Sequence, residues 1–161
     1  MIPAALCGLA INLALGGLQV GATRAAVMQD ACVEVVVKAD AEQMDRHVAI
    51  AIAWFESRFT PTAVSSEGAV GTMQVIPRWA CPNRRKQGCD LVAAGVHAYL
   101  AWLRRYKEPR LALCHYNSGN VCTGSSRAYA RRVLDLAERL AAAAGDERCQ
   151  SVVTSGTRIA R

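Results

Sequence analysis

The sequence predicts an all-α fold, interrupted at most by a minor hairpin. Three observations carry this reading. Alanine, leucine, valine and arginine dominate the 161 residues, a mixture that favours helix over sheet. Apolar positions recur at helical spacing in segments that open on Asp or Pro, as helix starts do. No segment reads as a confident strand. With 52% hydrophobic and 20% charged residues, the chain is globular rather than disordered and long enough to bury one core.

Taken in order, the elements divide into an N-terminal segment (1–22), a helical domain (23–145) and a tail (146–161). Ile2 to Thr23 carries no charge, with Leu6, Leu9, Ile11, Leu13, Leu15, Leu18 and Val20 as its apolar positions. Val20-Gly21-Ala22 supplies the small residues a signal peptidase requires, although no Lys or Arg precedes the apolar run. The stretch reads equally as a cleaved export signal or as a membrane anchor through residues 2–22. A buried N-terminal helix ranks below both, because Gly8, Gly16, Gly17 and Gly21 would weaken it.

Ala31 to Ala39 reads as a short helix ending near Asp40. Asp45 is placed to cap a second helix, His47 to about Ser57, stopped by Thr60-Pro61. Thr62 to Gly71 is a Ser- and Gly-rich loop. Thr72 to Ile76 is an apolar segment closed by Pro77, and Pro82 to Gly88 is a basic loop between two cysteines. After Asp90, the spacing of Leu91, Ala94, Gly95, Ala98, Tyr99, Trp102 and Leu103 predicts a helix. It ends in Arg104, Arg105 and Lys107, cations that suit a helix C-terminus. Pro109 opens a short helix through Leu111, Leu113 and Cys114. Beyond the Asn117 to Ser126 loop, Tyr129, Val133, Leu136, Ala137 and Leu140 mark the last helix. The polar tail after Gly145 is expected to lack order past Cys149.

Setting aside Cys7 in the apolar segment, Cys32, Cys81, Cys89, Cys114, Cys122 and Cys149 form an even set. In a small exported domain that points to three disulfides. Connectivity is open. Pairing Cys81 with Cys89 and Cys114 with Cys122 would close short loops, and Cys32 with Cys149 would then join the two ends of the domain. Zinc is disfavoured, because there is no CxxC and His47, His97 and His115 are scattered. The net charge of +6 is uneven: eleven Lys or Arg and only two acids, Asp90 and Glu108, lie between Arg78 and Arg132. Such a face suits a polyanion, be it nucleic acid, anionic lipid or an acidic wall, with nucleic acid ranked down for an exported protein, and charge alone equally describes a solvated surface.

Glu56 is the residue that raises the question of chemistry. It closes the apolar run Ile50 to Phe55. By position alone it reads as a solvated helix-end acid, paired with Arg58 or with water. Beside Ile52, Trp54 and Phe55 it would instead be desolvated, and burial raises a carboxyl's proton affinity as a general acid needs.

The segment "ESRFTPTAVSSEGAVGTMQVIP" decides between these readings. It resembles the first two motifs of the soluble lytic transglycosylase family at Glu56, Ser57, Phe59, Pro61, Ser65, Gly68, Ala69, Gly71, Met73, Gln74 and Pro77, with no insertion or deletion. Ala112 to Gly119 resembles the third motif, with Tyr116 and Asn117 in place, and Tyr129 in "YARRVL" matches a later tyrosine. The resemblance covers roughly His47 to Leu134. It implies a lysozyme-like helical domain that cleaves the MurNAc–GlcNAc β-1,4 bond of peptidoglycan and leaves 1,6-anhydro-MurNAc ends. Glu56 would be the sole catalytic residue, acid and then base. Ser65 and Gln74 would hydrogen-bond the glycan, Met73 would lend an apolar wall, and Gly71 would let the backbone approach. Tyr116 would place its hydroxyl near Glu56, Asn117 would hold that loop, and Tyr129 completes the substrate-binding set. No metal or organic cofactor is implied.

Thr60, Thr72, His115 and Ser118 depart from the family's usual residues; Thr72 and His115 bear on the cleft wall. Ordinary glycosidases need two carboxylates, and Glu67 is the only other acid between Phe59 and Cys89. The single-carboxylate reaction therefore leads. A goose-type lysozyme-like hydrolase, with Glu67 or Asp45 positioning water, stands second, and a non-catalytic wall-binding or assembly protein third. The expected location is periplasmic or extracellular. The expected partners are peptidoglycan strands and a secretion, conjugation or phage assembly, with no nucleic acid.

Overall fold

The computed structural model describes residues 1–145. Among them are seven α-helices and no strand: α1 (Pro3–Leu15), α2 (Ala22–Ala41), α3 (Arg46–Ser57), α4 (Pro77–Ala80), α5 (Leu91–Tyr106), α6 (Pro109–Ser118) and α7 (Gly124–Ala144). A 3-10 turn, Pro82–Arg84, separates α4 from α5. The all-α class is as expected. The minor hairpin is reduced to two isolated bridges, Val64 with Val70 and Val70 with Val75. Cys149 and the tail lie outside the described residues.

α3 is the centre. Every residue from His47 to Ala53 is buried, because α1, α2 and α7 all pack on it. Asp45 caps it as expected, accepting from the amides of His47 (2.8 Å) and Val48 (3.2 Å) and so satisfying donors that a helix start leaves open. The helix ends before Thr60-Pro61. Arg58 and Phe59 both take positive φ, 51° and 55°, and the Arg58 amide donates back to the Trp54 carbonyl at 2.9 Å. Phe59 is fully buried, which anchors that turn. Ile50 and Ile52, also buried, each contribute about 1.5–3 kcal/mol by leaving water.

α7 packs its buried stripe of Tyr129, Val133, Leu136, Ala137 and Leu140 against α3 and α6, and α5 closes the far side of α6. Pro77 opens α4 rather than merely closing the segment before it, since its fixed φ suits a first helical position.

The N-terminal segment differs most from expectation. α1 buries Leu6, Cys7, Ala10 and Ile11 against α2 and α7. The glycines that argued against a helix mostly punctuate it. Gly16 caps α1 in the left-handed region (φ 58°) and Gly21 precedes α2. Only Gly8 lies inside the helix. Two disulfides, Cys81–Cys89 and Cys114–Cys122, close the expected short loops. The third is corrected: Cys32 is bonded to Cys7, not to Cys149. Cys7 and Cys32 sit on the touching faces of α1 and α2 with Cα atoms 5.7 Å apart, a separation that a disulfide spans without distortion. Among the described residues no helix is long and apolar enough to cross a membrane.

Candidate active site

Three pieces of chain meet at the end of α3: the turn region 57–76, the end of α6 with the loop after it, and the start of α7. Ser57 ties the first piece down. Its hydroxyl donates to the Thr72 carbonyl at 2.8 Å and accepts from the Thr60 amide at 2.9 Å. Ser65 Oγ accepts from the amides of Glu67 (3.2 Å) and Ala69 (3.1 Å), which fixes the loop in its turn. Gln74, at φ 48°, donates its side-chain amide to the carbonyls of Gly71 (2.9 Å) and Ala63 (3.2 Å).

The resulting cleft holds about 730 Å³. Glu56, Ser65, Glu67 and Gln74 line it together with Ile76, Trp79 and Trp102 and with the run Tyr116, Asn117, Ser118, Gly119 and Asn120. Glu56 is half-buried at the end of α3. Burial raises its carboxyl from 4.5 to about 7, against a smaller opposing effect of the Tyr129 hydroxyl. It is thus close to half-protonated at neutral pH. Glu67 lies at the same cleft but is exposed. The Ser66 hydroxyl, donating to it at 2.6 Å, is the main reason its carboxyl stays below the ordinary range.

Both tyrosines lie near Glu56. Burial, reinforced by the Glu56 charge, pushes their hydroxyls well above the ordinary value, so both stay neutral. Tyr116 donates to the Met73 carbonyl at 2.7 Å. Tyr129 is different. Its hydroxyl is near enough to favour an ionised Glu56, yet it makes no hydrogen bond of ordinary length and angle among the described residues. A buried hydroxyl left open costs about 1–3 kcal/mol. Such a group beside Glu56 can donate to the carboxylate when it is ionised, to a water or to a ligand.

Not every expected residue reaches the cleft. Met73 is fully buried and belongs to the core; a Cβ on Gly95 would lie 2.6 Å from its own Cβ. Its side chain is therefore no cleft wall, while its carbonyl positions Tyr116. Gly71 has φ +80°, and a Cβ there would press on Leu91 at 3.1 Å, so glycine serves the turn rather than ligand approach. Asn117 lines the cleft, but the loop is held by others. Ser118 Oγ lies 2.8 Å from the Cys114 carbonyl and 2.7 Å from the Val121 carbonyl, and its one proton can go to either. His115 Nδ1–H donates to the Gly119 carbonyl at 2.6 Å, an acceptor that fixes which ring nitrogen carries the proton. Asp45 is the cap at the opposite end of α3, about 16 Å of helix from Glu56, and cannot position a water there.

Trp79, Trp102 and Asn120 were not singled out from the sequence as cleft residues. Trp102 is backed by a stack: the His115 ring lies 5.2 Å from it and 4.3 Å from Tyr106. The large His115 thus supports the cleft wall from behind. One half-protonated acid, an ionised acid, amide and hydroxyl groups and two indoles suit a long polyhydroxylated ligand whose ring faces stack on the indoles.

Residues 35–136 match the family of the transglycosylase SLT domain, a span that contains every residue named along the cleft. No curated protein and no solved structure matches the chain.

Proposed function

Because the chain belongs to the transglycosylase SLT domain family, whose activity is cleavage of peptidoglycan, we propose that it is a lytic transglycosylase with Glu56 as its one acid and base. The observation that carries this is the Glu56 carboxyl, raised to about 7 by burial on the wall of the cleft. Proton transfer is most effective when the group's pKa lies near the working pH. A carboxyl so poised can give a proton and accept one in the same turnover.

The protonated carboxyl donates to the glycosidic oxygen, GlcNAc O4, at its bond to MurNAc C1. That bond breaks, the GlcNAc end leaves as an alcohol, and positive charge develops at C1. The carboxylate then removes the proton from the MurNAc 6-hydroxyl, and O6 bonds to C1. A 1,6-anhydro ring results, Glu56 is protonated again, and no water is consumed. The Tyr129 hydroxyl donates to the carboxylate in its charged phase. Gln74 and Asn117, both on the cleft, hold the sugars' hydroxyl and amide groups; Ser65 keeps the intervening loop in place.

Export is part of the proposal, since three disulfides need an oxidising compartment. The bond between Cys7 and Cys32 favours residues 1–22 staying with the domain once outside. A second reading has one observation in its favour: Glu67 reaches the same cleft as an ionised carboxylate and would position a water for hydrolysis. Incubation with purified cell-wall sacculi tests the enzymatic claim. Wild-type protein should release soluble fragments, and Glu56→Gln should slow release by about 100-fold or more. Equal release by both proteins would refute it.

A further inference from the structure

The Cys81–Cys89 bond closes a loop that leads directly out of the cleft wall. Trp79 and Ala80, on the single turn before it, line the cleft. Trp79 is 75% exposed, and the Arg78 guanidinium lies 4.9 Å from its ring. Every residue from 82 to 88 is exposed. Arg84, Arg85 and Lys86 stand among them, and none takes part in an ion pair among the described residues.

The two carboxylates nearest in sequence do not neutralise this charge. Asp90 is paired with Lys38 at 2.6 Å and also caps α5 through the Ala93 amide at 2.9 Å. Glu67 accepts from Ser66. The loop is also shaped: Asn83 and Arg84 both take positive φ, 58° and 57°, where residues with a Cβ are uncommon. The Arg84 amide donates to the Cys81 carbonyl, and the Cys89 amide to the Lys86 carbonyl, each at 3.1 Å.

We propose that this cystine-closed loop is a subsite for the carboxylates of the peptide stems, so that the protein favours glycan still carrying its stems over stripped glycan. The inference rests on peptidoglycan being the substrate. Its chemistry is direct. The sugar backbone offers hydroxyls and amides, whereas the negative charge sits on the stems. Three uncompensated cations on the loop that follows the cleft-lining Trp79 and Ala80 therefore read the stem and not the sugar, and their effect weakens with salt.

Binding by the Glu56→Gln protein tests this independently of cleavage. The probes are a glycan oligosaccharide with its stems, the same oligosaccharide stripped by an amidase and with the lactyl carboxylates so exposed converted to amides, and one whose stem carboxylates are converted to amides. The stem-bearing form should bind about tenfold tighter than either other form at low salt. Adding Arg84→Gln, Arg85→Gln and Lys86→Gln should bring the three affinities together, while the melting temperature confirms that the variant is folded. Equal binding of all three probes, no binding of any, or a preference that survives the triple substitution would each overturn the inference. Wild-type protein that failed to cut sacculi while Glu56→Gln kept its stem preference would refute the catalytic proposal and leave this one standing.

Discussion

At the scale of the residue, Glu56 carries an energetic cost that can be measured. Its carboxyl is raised in the folded protein from 4.5 to about 7, so between those values the folded state holds a proton that the unfolded state has lost. Stability therefore falls as pH rises through this window, by up to about 3 kcal/mol above pH 7, and the cost disappears below pH 4.5. Glu56→Gln removes it. Thermal melts should show the variant more stable than wild type at pH 8, with the difference gone at pH 4.5. Equal stability at pH 8 would mean that Glu56 is well solvated. Tyr129→Phe is the companion test. It deletes the open hydroxyl and with it an influence that lowers the Glu56 value. The alkaline limb of the pH–rate profile should move upward, and at pH 4.5, where Glu56 is protonated, stability should not drop, because the hydroxyl then has no hydrogen bond to lose.

At the scale of the element, much of α3 was legible. Asp45 before an apolar run is a capping signal, and the cap is there; Asp45→Ala should lower stability by about 1 kcal/mol in a denaturant titration. What local pattern does not carry is which way a motif residue faces. Met73 sits beside Gln74 in sequence, yet Gln74 lines the cleft while Met73 fills the core beneath Gly95. That outcome depends on how closely α5 approaches, a property of packing rather than spacing. Gly95→Ala accordingly tests the element: its methyl meets Met73 at 2.6 Å, and overpacking of that kind costs about 1–3 kcal/mol. Unchanged stability would show that α5 is free to move away. Trp79 and Trp102 were likewise out of reach, since α4 and α5 become neighbours only in the fold.

At the scale of the whole molecule, the all-α class was legible in the sequence but cysteine connectivity was left open, and of the pairings it allowed the two short local loops are those that form. Cys7 misled, since an uncharged apolar segment has the composition of an export signal whether or not it also packs. The structure joins it to Cys32 across 25 residues of chain. Removing such a cross-link by Cys7→Ser in oxidised protein should cost about 3 kcal/mol, read from the shift in denaturant midpoint. A loss below about 1 kcal/mol would detach α1 from the stability of the domain.

The claim that ties these scales together is that one carboxylate closes the sugar on itself and no water enters. Glu67, ionised at the same cleft, is the reason to test it directly. Digestion of purified peptidoglycan in ¹⁸O-labelled water, followed by mass spectrometry of the fragments, separates the two outcomes. The account predicts unlabelled 1,6-anhydro-MurNAc ends. Reducing MurNAc ends carrying ¹⁸O would contradict it and assign hydrolysis to Glu56 with Glu67.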